Sequence, residues 1–482
     1  MDTVQKHGER QAAWVEDVES SPKDENPLLH DAKAQKALVR KIDWRLMPLC
    51  AFLYLLNYLD RSNIGNAKVL NYETGNDMLT TVGMTANGFS VALTVLAIAY
   101  GLFDVPANWV MKRFISPPWW LALLMLVWGV LTLGFAWVQN YATVVVLRFF
   151  IGAAEAGFFP GVVYLISVWY RKEERSLRIA FVLASAAMAG AFGGAIGYGA
   201  GHLNGVAGME GFRWLFIIEG IITVACALVV PFIMPDWPTK VKWLQGDEKR
   251  LAIERLEEQQ SGYSHEHASR REIKDTCISP RMLVHYLAYF TCTTILGSLA
   301  YFTPTLVTGL GFESVQANLM TVPPWAIGYV FSIAVAWSSD RFNERGLHVA
   351  ACGGIAGIGF LTSALLPPTA YMSRYGCLLL VACGAFPAAS PLVGWVTSNA
   401  PSGRTVGLAA AINNATVGAA SVLSVWIWRS DEAERGYPTG LIVCCVCAFV
   451  TAALSLGLRF HYGKMNRNRV VDINGVAREW VL

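Results

Sequence analysis

The stretch PDWPTKVKWLQGDEKRLAIERLEEQQSGYSHEHASRREIKDTCISPR (235–281) decides the architecture of this 482-residue chain. It carries nine basic and nine acidic residues in 47 positions, so no run within it can enter a bilayer. On either side the sequence reverses character. Upstream lie apolar blocks at 46–66, 86–108, 119–138, 143–169, 179–201 and 213–234. Downstream lie blocks at 282–306, 317–337, 347–367, 375–398, 405–428 and 437–460. Each is close to or above the ~20 residues that a helix, rising ~1.5 Å per residue, needs to cross a ~30 Å hydrocarbon core. Twelve spans, six on each side of one hydrophilic break, read as an all-α integral membrane protein of two six-helix repeats.

Composition points the same way. The chain is 54% hydrophobic and 15% charged, whereas soluble domains carry roughly 25% charged residues. A soluble enzyme, a secreted disulfide scaffold and a nucleic-acid binder are excluded together. The net charge of +3 is too small to suggest a polyanionic partner. Cys50, Cys226, Cys292, Cys352, Cys383 and the Cys444–Cys447 cluster lie inside apolar blocks and read as small buried hydrophobes. The expected organisation is a disordered cytoplasmic tail at 1–45 without a cleaved signal peptide, an N-terminal bundle at 46–234 and a cytoplasmic linker at 235–281. A C-terminal bundle at 282–460 and a second tail at 461–482 follow. Within the linker, helical spacing of Leu251, Glu254, Arg255 and Glu258 predicts one short surface helix over 247–258.

Orientation follows from the cations. With both termini and the central break on one side, that side holds 31 of the 38 Lys and Arg residues. The remainder are Arg61, Lys68, Arg148, Arg213, Arg374, Arg429 and Arg435. The positive-inside rule then places both termini in the cytoplasm.

Two turns repeat between the halves. GLFDVPANWVMKRF (101–114) follows the second span and WSSDRFNERG (337–346) ends the eighth. Asp104 in the first, and Asp340 with Arg341 in the second, are candidates for gating latches that hold neighbouring helices in one conformation. The alternative is an ordinary charge at a helix end. A six-plus-six repeat with a cytoplasmic linker suits alternating access around a mid-membrane site.

Charges inside the spans are the sharpest signal. Each costs ~2.5–3.5 kcal/mol at the centre of a helix, so each needs a partner or a task. Asp60 and Arg61 follow an apolar run in NYLDRSNIGNA (57–67). Arg148 and Glu155 stand seven residues apart in RFFIGAAEAGFFPG (148–161), two turns on one face. One reading is a structural ion-pair network. The other gives Asp60 or Glu155 the proton and an Arg the substrate: an acid whose Arg is drawn to an anion gains proton affinity, so proton and anion travel together. Arg suits the task because its planar fork binds carboxylates bidentately. Six glycines in GAFGGAIGYGAG (190–201) and prolines at 160, 304, 323, 324, 387 and 391 supply close approach and broken backbone pairing. In the second half, Ser390, Trp395, Asn413 and Asn414 are candidates for the cavity wall, or equally for interhelical hydrogen bonding.

LLNYLDRSNIGNA (55–67), RFFIGAAEAGFFPG (148–161), FRWLFIIEG (212–220), the PDWP…KWL start of the linker and LMTVPPW (319–325) resemble the fungal allantoate-permease branch of the anion:cation symporters, within the major facilitator superfamily. The resemblance runs from about residue 38 to 460. It implies a proton-coupled carrier of small carboxylates or related metabolites. It also implies that Asp60, Arg61, Arg148 and Glu155 serve in proton coupling and anion binding. Asp104 stands where the family more often has Glu, and the tenth to twelfth spans diverge most.

The expected function is secondary active transport: proton-coupled uptake of a small organic anion across the plasma membrane by a single-chain monomer. The expected partners are that anion, the proton and the lipid bilayer. Export of a secondary metabolite is the alternative within transport, and a non-transporting nutrient sensor is the alternative outside it. A membrane enzyme would need a catalytic His or acid pair at the surface, and His202, His285, His348 and His461 pair with no candidate acid in sequence. No G-x4-GK[ST] loop and no cofactor or metal cluster stands out.

Overall fold

The computed structural model describes residues 31–261, 269–312, 314–402, 405–468 and 480–482, and its described residues form helices and no strand. Caps and prolines set the boundaries. Helix α1 (Ala32–Ser62) starts on Asp31, whose side chain accepts from the Lys33 amide at 2.8 Å, and α2 (Ile64–Val69) continues it. After the single turn α3 (Met78–Thr81), Thr85 caps α4 (Ala86–Phe114). Pro117 and Pro118 occupy the first turn of α5 (Pro117–Gly134), where a missing N–H costs nothing. The fourth span breaks into α6 (Tyr141–Glu155) and α7 (Phe158–Trp169), because Pro160 has no N–H to give the Ala156 carbonyl. Helices α8 (Lys172–Gly201) and α9 (Gly211–Ile233) complete the N half.

The described residues of the 235–281 segment form two helices, α10 (Gly246–Ser261) and α11 (Arg270–Ile278), where one was expected. The second rests on a capping box between Ser269 and Glu272. The C half comprises α12 (Pro280–Thr308), α13 (Ser314–Met320), α14 (Val322–Phe342), α15 (Arg345–Leu365), α16 (Tyr371–Ser398), α17 (Val406–Trp426) and α18 (Pro438–Arg467).

Among the described residues, eleven helical stretches are long and apolar enough to cross a membrane. The expected first span lies in α1, which falls short because Asp60 and Arg61 end its apolar run and Arg45 precedes it. It is core all the same: Leu46, Cys50, Leu53, Leu56 and Leu59 are each 3% exposed or less.

Both expected tails need correction. Residues 32–45 are the first turns of α1 rather than disordered chain, because Leu38 and Ile42 continue the buried stripe of Leu46 at helical spacing. Arg178 donates to both oxygens of Asp43 at 2.7 Å and holds this extension against α8. Residues 1–30 lie outside the described residues. At the other terminus α18 runs on to Arg467, and Trp480–Leu482 dock on the bundle; 469–479 lie outside the described residues.

The helical parity puts Ala32, Arg467 and the 235–281 segment at one end of the bundle, the basic end. The two halves meet mainly at the opposite, far end. There α8 packs on α13 and α14 so closely that a Cβ on Gly190 would lie 2.0 Å from the Trp325 ring. Trp426 on α17 donates to the Thr94 hydroxyl on α4 at 3.0 Å, and Phe89 meets Phe302 edge-on at 6.4 Å. Toward the basic end the halves diverge around a cavity of about 110 Å³.

Candidate functional site: a buried charge cluster beside a cavity between the two halves

The cavity is walled from the N half by Phe159 and Ile179 and from the C half by Tyr289, Ser390, Asn413 and Asn414. Three of the residues expected in this wall are therefore there. Trp395 is not. Its side chain is fully buried on the other side of α16, stacked edge-on against His285 at 4.9 Å, with its indole N–H donating to the Val481 carbonyl at 2.8 Å. The docked Trp480–Leu482 segment turns it away from the cavity.

Five tyrosines gather between the charged residues and the cavity wall, to which Tyr289 belongs. Tyr54 and Tyr58 come one turn apart on α1, Tyr100 from α4, and Tyr289 and Tyr301 from α12, so both halves contribute. Tyr54 packs 5.4 Å from Phe159 and 6.3 Å from Tyr58. No sequence motif announced this cage. Its signal was the recurrence of Tyr in spans that face each other.

The charged residues lie next. Arg61 sits 4.4 Å over the Tyr100 ring, and its Nε is 3.4 Å from Glu155 Oε2. Its side chain keeps 16% of its surface exposed deep in the bundle, whereas the Glu155 side chain keeps none. Arg148 shares a face with Glu155, as the seven-residue spacing predicts, but the ion pair forms across helices to Arg61 instead. Arg148 is 1% exposed, lies 5.0 Å over the Phe135 ring and donates to the Arg61 carbonyl at 3.4 Å. In this conformation it has almost no surface for a ligand and braces the backbone that carries Arg61. Asp60, 2% exposed, faces away from the cavity: its Oδ2 accepts from the Trp128 indole at 3.0 Å and from the Thr223 hydroxyl at 2.8 Å.

One acid in the group was overlooked. Glu219 on α9 is 0% exposed, and neither carboxyl oxygen has a hydrogen-bond partner among the described residues. The signal was available in FRWLFIIEG, an acid in the middle of an apolar span.

The two repeated turns are not equivalent. Asp340 lies 3.6 Å from Arg345, which donates to Ser398 at 2.8 Å, while Glu344 pairs with Arg459 at 3.0 Å. Arg341 points outward, exposed. Asp104 instead accepts from Asn108 on its own helix at 3.4 Å. The difference is in the sequence: the helix after Asp340 opens with Arg345, whereas the helix after Asp104 opens with Ser116, Pro117 and Pro118, which offer no cation.

The family model described as Major Facilitator Superfamily matches residues 50–425. The chain belongs to this superfamily. It is therefore a multi-pass membrane transporter. It is 48% identical over 96% of its length to the MFS transporter prlL of Fungal sp. (strain NRRL 50135), covering 94% of that protein. It is 32% identical over 93% of its length to the MFS-type transporter efuF of Hormonema carpetanum, covering 89% of that protein. Among solved structures it resembles a D-xylose-proton symporter, with TM-score 0.63 at 17% identity, covering 84% of this chain and 96% of that one. It also resembles a bacterial homolog of the human lysosomal transporter Spinster, with TM-score 0.63 at 14% identity, covering 86% and 95%. The cavity lies where the two halves face each other, and the charge cluster lies within the N half. Among the described residues, no group of three His, Cys, Asp or Glu side chains can hold a metal ion.

Proposed function

We propose that this transporter carries out proton-coupled uptake of a small organic anion across the plasma membrane, in the allantoate-permease branch of the anion:cation symporters whose motifs it resembles. The observation that carries the reading is the Arg61–Glu155 pair, with a partly exposed guanidinium over the Tyr100 ring and a buried carboxylate behind it. An anion entering among the tyrosines competes with Glu155 for the Arg61 fork. Once Arg61 turns to the substrate, Glu155 is left buried without its counter-charge, and taking up a proton removes that cost. Asp60 is the second acid of the coupling group. Arg148 supports binding by holding Arg61 in place.

The contacts of Gly190 with Trp325 and of Thr94 with Trp426 close the far end, while the cavity lies toward the basic end. With the basic end in the cytoplasm, as the Lys and Arg distribution supports, this is the cytoplasm-open state of an alternating-access cycle. Asp340, Arg341, Arg345 and Ser398 then belong to the turn that must rearrange when the cytoplasmic side closes. One chain contains the whole site, so a monomer suffices.

The test is cytosolic pH in cells expressing the protein, with aromatic and aliphatic monocarboxylates added to an acidic medium. Acidification with particular compounds, absent in Glu155→Gln at equal surface expression, is the expected result. Uptake that is independent of external pH overturns the coupling. No acidification with any compound, despite confirmed surface expression, overturns import.

A further inference from the structure

The cluster in the N half holds three carboxyls, Asp60, Glu155 and Glu219, against two guanidiniums, Arg61 and Arg148, carried by α1, α6 and α9. Fully ionised, it carries one uncompensated negative charge in a low-dielectric interior, an arrangement that costs several kcal/mol per ion even after relaxation. One bound proton makes it neutral. The partners indicate where that proton belongs. Asp60 accepts two hydrogen bonds, from Trp128 and Thr223, and Glu155 pairs with Arg61. Among the described residues, Glu219 has neither a donor nor an ion pair. The charged groups that face it are Asp60 on α1 and Arg148 on α6, the latter already stacked on Phe135. From α5 and from α9 itself, the nearby Trp128 and Thr223 are uncharged and committed to Asp60.

Water is shut out by close packing of α5 on α9 around Glu219. A Cβ on Gly220 would lie 2.5 Å from Leu133, and one on Gly129 would lie 3.0 Å from Thr223. The carboxyl is therefore sealed beside the coupling group, without solvent to share its charge.

We infer that Glu219 is a third proton-binding group of this transporter, holding the proton that leaves the five-residue cluster neutral in the conformation seen. The inference rests on the proton-coupled reading above for its place in a transport cycle, but the proton itself is a property of the resting protein.

The experiment is infrared spectroscopy of the full-length protein in lipid nanodiscs at neutral pH, with no substrate added. A protonated carboxylic acid has a carbonyl stretch that an ionised one lacks. The wild type should show this band, the band should shift in protein labelled with 13C-glutamate, and it should vanish in Glu219→Gln. Should Glu219→Gln fail to fold, Glu219→Asp in 13C-glutamate-labelled protein keeps the assignment testable, since the band should then lose its isotope shift. A wild type without the band, a band that ignores glutamate labelling, or one that persists in folded Glu219→Gln overturns the inference. Since no substrate enters, failure of the transport reading in the cell assay and failure here are separate results.

Discussion

Arg61 on α1 and Glu155 on α6 meet as an ion pair whose two members differ in access: the arginine keeps 16% of its side-chain surface exposed and the glutamate none. That asymmetry makes one member reachable by a ligand and leaves the other dependent on it.

Dependence of this kind is measurable in the resting protein. Arg61→Ala strands a buried carboxylate, and breaking a buried pair from one side costs about 3–5 kcal/mol. Thermal unfolding of purified protein should show a large loss of stability in Arg61→Ala, most of it recovered when Glu155→Gln is added. A double variant no more stable than Arg61→Ala means the two residues are not coupled.

Arg148→Lys should act through Arg61. Lysine keeps the charge but cannot keep both the stack on Phe135 and the fork that reaches the Arg61 carbonyl. The expected outcome is a loss of about 1–2 kcal/mol of stability and weaker anion affinity, with pH dependence retained. Binding as tight as wild type would leave Arg148 without a bracing role.

The spans were legible in the sequence because apolar length alone dictates them, and the six-and-six division followed from one polar stretch. The residue types of the charge cluster were legible for the same reason, since charge inside an apolar run is conspicuous. Their pairing was not. Arg148 and Glu155 are local neighbours on a helix, while Glu155 finds Arg61 across two helices distant in sequence, which no periodicity encodes. Trp395 shows the same limit. Its neighbours on α16 line the cavity, but what fixes its own side is Val481, brought in from far along the chain. Residues 32–45 were misread because their charges hid a buried stripe at Leu38 and Ile42.

That distant segment gives a prediction of its own. Trp480 is 2% exposed, stacks on Tyr462 at 5.7 Å and lies under Arg281 at 4.4 Å, while Asn399 brackets Val481 with two hydrogen bonds. Trp480→Ala should cost about 3 kcal/mol, as for a buried aromatic cut to alanine, and should free the Trp395 indole N–H. Lower thermal stability with a red-shifted tryptophan emission is expected. An unchanged melting point would mean that the segment is not seated in solution.

The turn before α18 provides a pH test outside the membrane spans. The Thr439 hydroxyl and amide both donate to Glu432, and these bonds hold its carboxyl below the usual glutamate range. A depressed value means the stabilisation is present above the unfolded-state pKa and is lost as pH falls through the folded one. Glu432→Gln should remove about 1 kcal/mol, as for a lost helix cap, and the difference from wild type should shrink as the solution is acidified below the carboxylate range. A difference that stays constant with pH would assign the loss to packing.

Closure of the far end depends on a glycine. A Cβ on Gly190 would penetrate the Trp325 ring, and one on Gly194 would lie 2.2 Å from the Thr321 hydroxyl, so α8 can approach α13 and α14 only without side chains there. Gly190→Leu therefore opposes the far-end-closed conformation without touching the charge cluster, and the population should shift toward the state open on that side. A cysteine introduced at Thr321, buried at 1% exposure, reports the shift. In spheroplasts treated with a membrane-impermeant maleimide, Thr321→Cys alone should label slowly, and Thr321→Cys with Gly190→Leu should label at least several-fold faster. Equal labelling would mean that the halves tolerate the added side chain without separating. Labelling only after the membrane is permeabilised would place the far end in the cytoplasm and invert the orientation proposed from the basic residues.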